Sequence, residues 1–144
     1  MRMRTDRKGF TLIELMLVVI IIGALTAMVM PRLAGRTEQA KVGAAKADIN
    51  ANIATGLKLY ELDNGRYPSS EDGGLGALLK KPSSSSSWNG PYLEKKPVDP
   101  WNHEYQYRSP GSHRTYDYDL YSLGHDGQES EDDINNWENA ASTS

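Results

Sequence analysis

Two groups of side chains in this 144-residue sequence could do chemistry, and both are carboxylates in unusual company. The first is Glu14, the one charged residue in an apolar run that extends from Phe10 to Pro31. A carboxylate in hydrocarbon costs about 3 kcal/mol at the middle of a span, so its presence implies a partner. The second group is the tail Asp126, Glu129, Glu131, Asp132, Asp133 and Glu138, which contains no Lys or Arg. Several hard oxygens on a glycine-containing loop suit a Ca²⁺ ion. Counted from Asp126, however, the sixth position is Glu131, where an EF-hand requires Gly. By residue type alone, a solvated acidic surface accounts for this tail equally well.

Both groups need elements to hold them. At about 1.5 Å per residue a helix over 10–31 is about 33 Å long, the thickness of a bilayer's hydrocarbon core. Gly23 and Pro31 are tolerated in such a span, and Pro31 can kink it at the membrane exit. The apolar period then continues through Val42, Ala45, Ile49, Ile53, Leu57 and Tyr60. These are spaced by three or four, the stripe of an amphipathic helix. Lys41, Lys46, Asp48, Asn52 and Lys58 fall mainly on its other faces. Asn64-Gly65 is a stop signal. The pattern predicts one long helix from about Thr11 to Leu62, lipid-buried at first and then one-sided.

Beyond Tyr67-Pro68 the texture changes. Gly73 to Leu79 reads as a short helix, and Lys81-Pro82 with Ser83–Ser87 as a flexible surface loop. Pro91, Pro97 and Pro100 punctuate an extended stretch. Strands are expected at Glu104–Arg108 and Tyr116–Ser122, separated by the turn Ser109–Ser112. In the second, Tyr116, Tyr118 and Leu120 alternate with Asp117, Asp119 and Tyr121. The expected class is α+β: a long N-terminal helix, transmembrane in its first half and amphipathic in its second, packed on a small antiparallel sheet.

Charge and composition limit the functions available. Residues 1–9 carry Arg2, Arg4, Arg7 and Lys8 against Asp6, while the whole chain has a net charge of −3. Basic residues ahead of an apolar run are the positive-inside signature, with the N-terminus in the cytoplasm and the polar part outside. The net charge supplies no reason to expect a nucleic-acid partner. With no cysteine, an exported head cannot be stapled by disulfides, which makes a metal ion a more natural staple. His103, His113 and His125 have no zinc spacing and read as surface residues. Tyr92, Trp101, Tyr105, Tyr107, Tyr116 and Tyr118 read as core and sheet pairs. No Ser-His-Asp set, phosphate loop or pair of catalytic acids is present, so an enzyme is not expected.

The run Lys8-Gly9-Phe10-Thr11-Leu12-Ile13-Glu14 resembles the class III signal sequence of type IV pilins and pseudopilins. The resemblance implies cleavage between Gly9 and Phe10 by a prepilin peptidase and N-methylation of Phe10. Residues 1–9 would then be a leader, 10–31 the transmembrane and assembly helix, and 32–144 a periplasmic head. Cleavage leaves a positive α-amine on Phe10, and Glu14 of one subunit could pair with Phe10 of its neighbour, setting the register of assembly. A plain signal anchor or an ordinary cleaved signal peptide is the weaker reading. No small-x-small site stands in the right place, and Glu14 interrupts the apolar region.

A second set of motifs is more specific. Asn64-Gly65-Arg66-Tyr67-Pro68, Gly90-Pro91-Tyr92-Leu93, Asp99-Pro100-Trp101, Tyr105 to Gly111 and Ser122-Leu123-Gly124-x-Asp126-Gly127 resemble the major pseudopilins of type II secretion. This resemblance implies a subunit of a homopolymeric helical filament that drives folded proteins across the outer membrane. It implies minor pseudopilins, an inner-membrane assembly platform and an outer-membrane secretin channel as partners. The protein would be single-pass in a bacterial inner membrane with its C-terminal domain in the periplasm. It also implies one Ca²⁺ in the acidic loop. Asp126 and Asp133 would be side-chain ligands, Leu123 and Gln128 carbonyl donors and Asp132 a further ligand, with register across 128–133 open. The alternatives are a type IV pilus pilin and a monomeric, signal-anchored calcium-binding module.

Overall fold

A computed structural model describes residues 9–138 of the chain, with the side chains of 31–34 left aside. Packing divides the chain into two units, Met1–Gln39 and Ala40–Ser144. The first unit contains most of α1 (Leu12–Ala47). Its apolar side chains point outward on every side, with Leu12, Ile13 and Met28 at 77, 70 and 77 % exposure. A helix that is apolar all round suits a lipid or protein surrounding rather than water. The hydroxyl of Thr26 donates to the Ile22 carbonyl at 2.7 Å, so this polar group is satisfied within the helix. The helix that begins here, Leu12–Asn64, is long and apolar enough at its N-terminal end to cross a membrane.

In the second unit the helix passes through a wide turn at Asp48–Asn52 and continues as α2 (Ile53–Asn64). Residues in this turn bond at the π spacing, one residue longer than α. The apolar stripe explains it. Ala45, Ile49, Ile53 and Leu57 are each separated by four residues and each 0 or 1 % exposed. In a 3.6-residue helix every such step overshoots by about 40°, so three would carry the stripe about 120° around the axis. One extra residue in the turn takes up most of that drift, and all four side chains stay on the core face. Asp48, at the start of the turn, accepts from the Tyr105 hydroxyl at 2.9 Å and from the Asn52 amide at 2.6 Å. Gly65 ends the helix in the left-handed conformation (φ 76°), and its N–H donates to the Glu61 carbonyl at 2.7 Å.

Against this stripe lie Ala77 and Leu78 of α3 (the short 3₁₀ helix Gly74–Leu78) and Tyr105, Tyr118, Leu120 and Ile134 from the sheet side. The sheet has the order β1 (Gln106–Arg108), β2 (Asp119–Ser122), β3 (Ile134–Asn135), all antiparallel. Gln106 pairs with Tyr121 and Arg108 with Asp119, while Ser122 pairs with Ile134. Gly56 lies where Leu93 and the Tyr92 carbonyl come against α2. A Cβ there would sit 3.2 to 3.3 Å from those atoms.

The α+β class, the long helix and its stop agree with the sequence reading; three details differ. Tyr116 lies outside β2 and is fully exposed, so the period-two pattern holds only for Tyr118 and Leu120. Within β2, Asp119 and Ser122 are buried as well. Both have polar partners that take the place of water, which removes the simple alternation of buried and exposed positions. Finally, the serine run is tied down. Ser84 donates to Asp72 at 2.5 Å, and Ser85 donates to the Asn64 side chain.

Asp72 is the hub of that corner. Its side chain is 1 % exposed and receives both Arg66 nitrogens at 2.5 and 3.0 Å. It also receives the N–H and hydroxyl of Ser69 at 2.8 and 2.9 Å. The Arg66 guanidinium, helped by Ser84 and Ser69, holds its carboxyl well below the usual range even though burial acts the other way. A depressed folded-state value contributes stability that is fully present above the ordinary carboxylate range, begins to fall within it and is gone only below the depressed folded value. Asp72→Ala is expected to cost about 2 kcal/mol or more at pH 7, because it leaves Arg66 and two serines without their acceptor. Melting curves at pH 7 and pH 3 should therefore differ less for this variant than for the parent. An equal acid response in both proteins would show that Asp72 is not its source.

Candidate functional site

At the N-terminal junction, Gly9 and Phe10 precede α1, and Phe10 is 87 % exposed. Among the described residues no heavy atom lies within 4 Å of the position a Cβ on Gly9 would take, which leaves its backbone sterically open on that side. Residues 1–8, which carry the basic leader, lie outside the described residues. Glu14 is not left unpartnered within its own chain. Its Oε2 accepts from the N–H and the hydroxyl of Thr11, both at 2.9 Å, and its N–H donates back to the Thr11 hydroxyl at 3.3 Å. This is a capping box: Thr11 starts the helix, and Glu14, three residues on, closes the bond pair. The motif is legible in Thr-x-x-Glu, yet the sequence reading saw only an isolated acid.

The second site is the loop between β2 and β3. Its start is fixed by buried polar groups. Ser122 donates to Asp99 at 2.6 Å and accepts from the Gly124 N–H at 3.1 Å. Asp99 also accepts the N–H groups of Trp101 and His103 at 3.1 and 2.7 Å. Its far end is held by aromatic contact. The His113 ring lies over Trp137 at 4.1 Å with the planes 3° apart, and Tyr121 meets Trp137 edge-on. His113 is in turn 3.2 Å from Asp119, which accepts the N–H groups of Ser112, His113 and Arg114. Burial pushes the Asp119 carboxyl up, but these donors together hold it below the ordinary value.

Between these anchors the acidic residues behave differently. The Asp126 carboxylate accepts the Gln128 N–H at 3.0 Å, and the Asp132 carboxylate accepts from the Ser130 hydroxyl. Asp132 lies beside the left-handed Gly124, its carbonyl and carboxylate 3.8 and 3.9 Å from where a Cβ would be. Asp133 is the exception: its Oδ1 is buried and has no hydrogen-bond partner. Burial first, then the nearby Asp132, Glu129 and Asp126 charges, push its carboxyl above the usual range, against one bond from its neighbourhood at Ser130.

A buried carboxylate oxygen without a donor, surrounded by like charges, fits a divalent cation. Among the described residues no three His, Asp or Glu side chains converge closely enough to hold a metal by themselves. An ion here would need main-chain carbonyls, and Asp126 and Asp132 would have to turn inward from their present partners. The expected set Leu123, Asp126, Gln128, Asp132 and Asp133 thus lies on one loop. Of these, Asp133 already presents an unmatched oxygen.

Residues 32–137 match the protein family described as type II secretion system (T2SS), protein G, and residues 4–30 match the prokaryotic N-terminal methylation motif. The type II secretion system core protein G of Pseudomonas aeruginosa is 50 % identical over 144 residues, an alignment spanning 94 % of this chain and 99 % of that protein. Its counterpart from Dickeya chrysanthemi is 44 % identical over 140 residues, spanning 94 % and 89 %. Among solved structures, the major pseudopilin of the type 2 secretion system of enterohaemorrhagic Escherichia coli is similar with a TM-score of 0.61 and 37 % identity. That match covers 75 % of this chain and 96 % of the other.

The charge on Asp133 is a penalty at any pH above its raised value, and the penalty vanishes as the pH falls below the ordinary carboxylate range. Asp133→Asn should therefore raise the melting temperature of chelator-treated protein at pH 7. An effect of about 1 kcal/mol corresponds to roughly 4–8 °C in a domain of this size. A lower melting temperature would mean that the carboxylate makes bonds the structure does not contain.

Proposed function

The chain belongs to the protein G family of the type II secretion system, the family of its major pseudopilins, and from this we propose that it is the repeating subunit of a periplasmic filament. The observation that carries the reading is the family match over 32–137, which takes in the whole folded head. The work of such a subunit is polymerisation rather than catalysis. Prepilin peptidase would cleave between Gly9 and Phe10, and the new Phe10 amine would be methylated. Residues 10–31 would anchor the subunit in the inner membrane, with the head, 32–144, in the periplasm. Minor pseudopilins, the inner-membrane assembly platform and the secretin channel would be its partners.

The capping box supports a specific role for Glu14. Inside the bilayer its carboxylate keeps hydrogen bonds to Thr11 until a second, better partner arrives, the Phe10 amine of a neighbouring subunit. Two opposite charges that neutralise each other in lipid gain most when brought into contact, so the exchange favours one axial register. The protein extracted from membranes should begin at N-methylated Phe10 by mass spectrometry. Glu14→Leu should still insert and be cleaved, yet form no crosslinked ladders and support no export. Ladders and export at parental levels from that variant would remove the assembly role.

The loop, on this reading, holds one Ca²⁺ through the Asp126, Asp132 and Asp133 carboxylates and the carbonyls of Leu123 and Gln128. The unmatched oxygen of Asp133 supports it. In a chain without disulfides the ion would pin the C-terminal segment onto the sheet. Chelation should then lower both the melting temperature and the resistance to protease. Unchanged melting with excess chelator would argue decisively against the ion.

A further inference from the structure

The acidic loop has few internal bonds, and most of its side chains are exposed. Its shape comes from Gly124, which is buried and gripped on both of its peptide planes. On one side its N–H donates to Ser122 Oγ at 3.1 Å. That N–H shares a planar trans peptide with the Leu123 carbonyl, so fixing one aims the other in the opposite direction. On the other side the Gly124 carbonyl lies 3.2 Å from His103 Nδ1. A carbonyl can only accept, so this contact is a hydrogen bond when Nδ1 carries the proton. Both supports lead back to one buried carboxylate. Ser122 Oγ donates to Asp99 Oδ2, and the His103 N–H donates to Asp99 Oδ1.

His103 touches the loop a second time. A Cβ on Gly127 would come within 3.1 to 3.2 Å of the imidazole, so the ring is packed directly on that backbone. The residues it contacts, Gly124 and Gly127, flank Asp126 in sequence. One side chain therefore sets the path of the segment that carries Asp126, while Ser122 aims the Leu123 carbonyl.

We infer that His103 is a positioning residue for the loop's cation: it presets the Leu123–Gln128 segment through Gly124 and Gly127 without touching the ion. The inference rests on the calcium reading above and adds a residue lying about twenty positions away in sequence, on a different segment. Groups that orient the binding groups of a metal site in this way typically change affinity by about 10- to 100-fold when removed.

The test uses the full chain in detergent micelles, stripped with chelator and titrated with Ca²⁺ by calorimetry. His103→Ala should weaken binding by about 10-fold or more, and His103→Asn, which keeps an N–H donor near the Nδ1 position, by no more than about threefold. In chelator the Asn variant should melt at or above the Ala variant, because the bond to the Gly124 carbonyl is present before the ion arrives, and the affinity measured by calorimetry is the readout that separates positioning from stability. Asp126→Ala should abolish binding and serves as the reference for the site itself. If the parent takes up no Ca²⁺, the calcium reading fails and this inference with it. If the parent binds and Asp126→Ala does not, but His103→Ala binds like the parent, the positioning role alone is refuted. An Asn variant as weak as Ala would refute it too. Should the Ala variant fail to fold, His103→Gln takes its place with the same expected loss, its amide being one bond too far out.

Discussion

The head depends on keeping one row of side chains on one side of a helix that wants to rotate it away. Ala45, Ile49, Ile53 and Leu57 recur every four residues, and all are buried. In a regular α-helix such a row would spread over about 120° of the surface. The wide turn at Asp48–Asn52 resolves the conflict by adding one residue where the drift accumulates. Asp48 sits at that turn and receives the Tyr105 hydroxyl from the segment leading into β1, so the irregular turn is also bonded to the sheet side. Fully burying each large apolar side chain of this row contributes about 1.5–3 kcal/mol.

Around that core the head buries several carboxylates, and one differs from the rest. Asp72 is surrounded by Arg66, Ser69 and Ser84, Asp99 by two N–H groups and a serine, and Asp119 by three N–H groups and a histidine. Each of these replaces lost water with donors and so stabilises a corner or turn. Asp133 does not. Among the described residues its Oδ1 is the one buried carboxylate oxygen without a partner. A buried oxygen without a donor carries a desolvation cost that the neighbouring polypeptide does not offset.

Glu14 and, within the acidic tail, Asp133 follow the same logic of a carboxylate that needs a partner. Glu14 is held by Thr11 in a capping box, which meets the demand for a partner locally. Asp133 has no such local solution and is pushed toward its neutral form by its surroundings. One acid is bonded within its own helix turn, and the other has an oxygen without a donor; on the proposed reading the first would exchange to a subunit's amine and the second would take a cation. Both fit a pseudopilin, whose use lies in being assembled and in staying folded without disulfides.

Much of this was readable along the chain because it is periodic or local. The apolar run, the three-and-four stripe, the Asn64-Gly65 stop and the Thr-x-x-Glu cap each involve residues within a turn or two of one another, so residue type and spacing suffice. The family motifs likewise lie in short contiguous strings, and they identified the family correctly. Other features had no local signature. The third strand, Ile134–Asn135, is two residues long and exists only because Tyr121 and Ser122 offer it an edge. Tyr116 looked like part of β2, but nothing packs over it, and Ser84 looked mobile until Asp72 came within reach. His103, at first one of three scattered histidines, joins the acidic loop through Gly124, and Asp133 shows its unmatched oxygen only inside the fold. The order of residues determines which groups can cap, stop or line a helix face. Which donors meet which acceptors across long stretches of chain is decided when burial removes water and leaves only the neighbours that folding supplies.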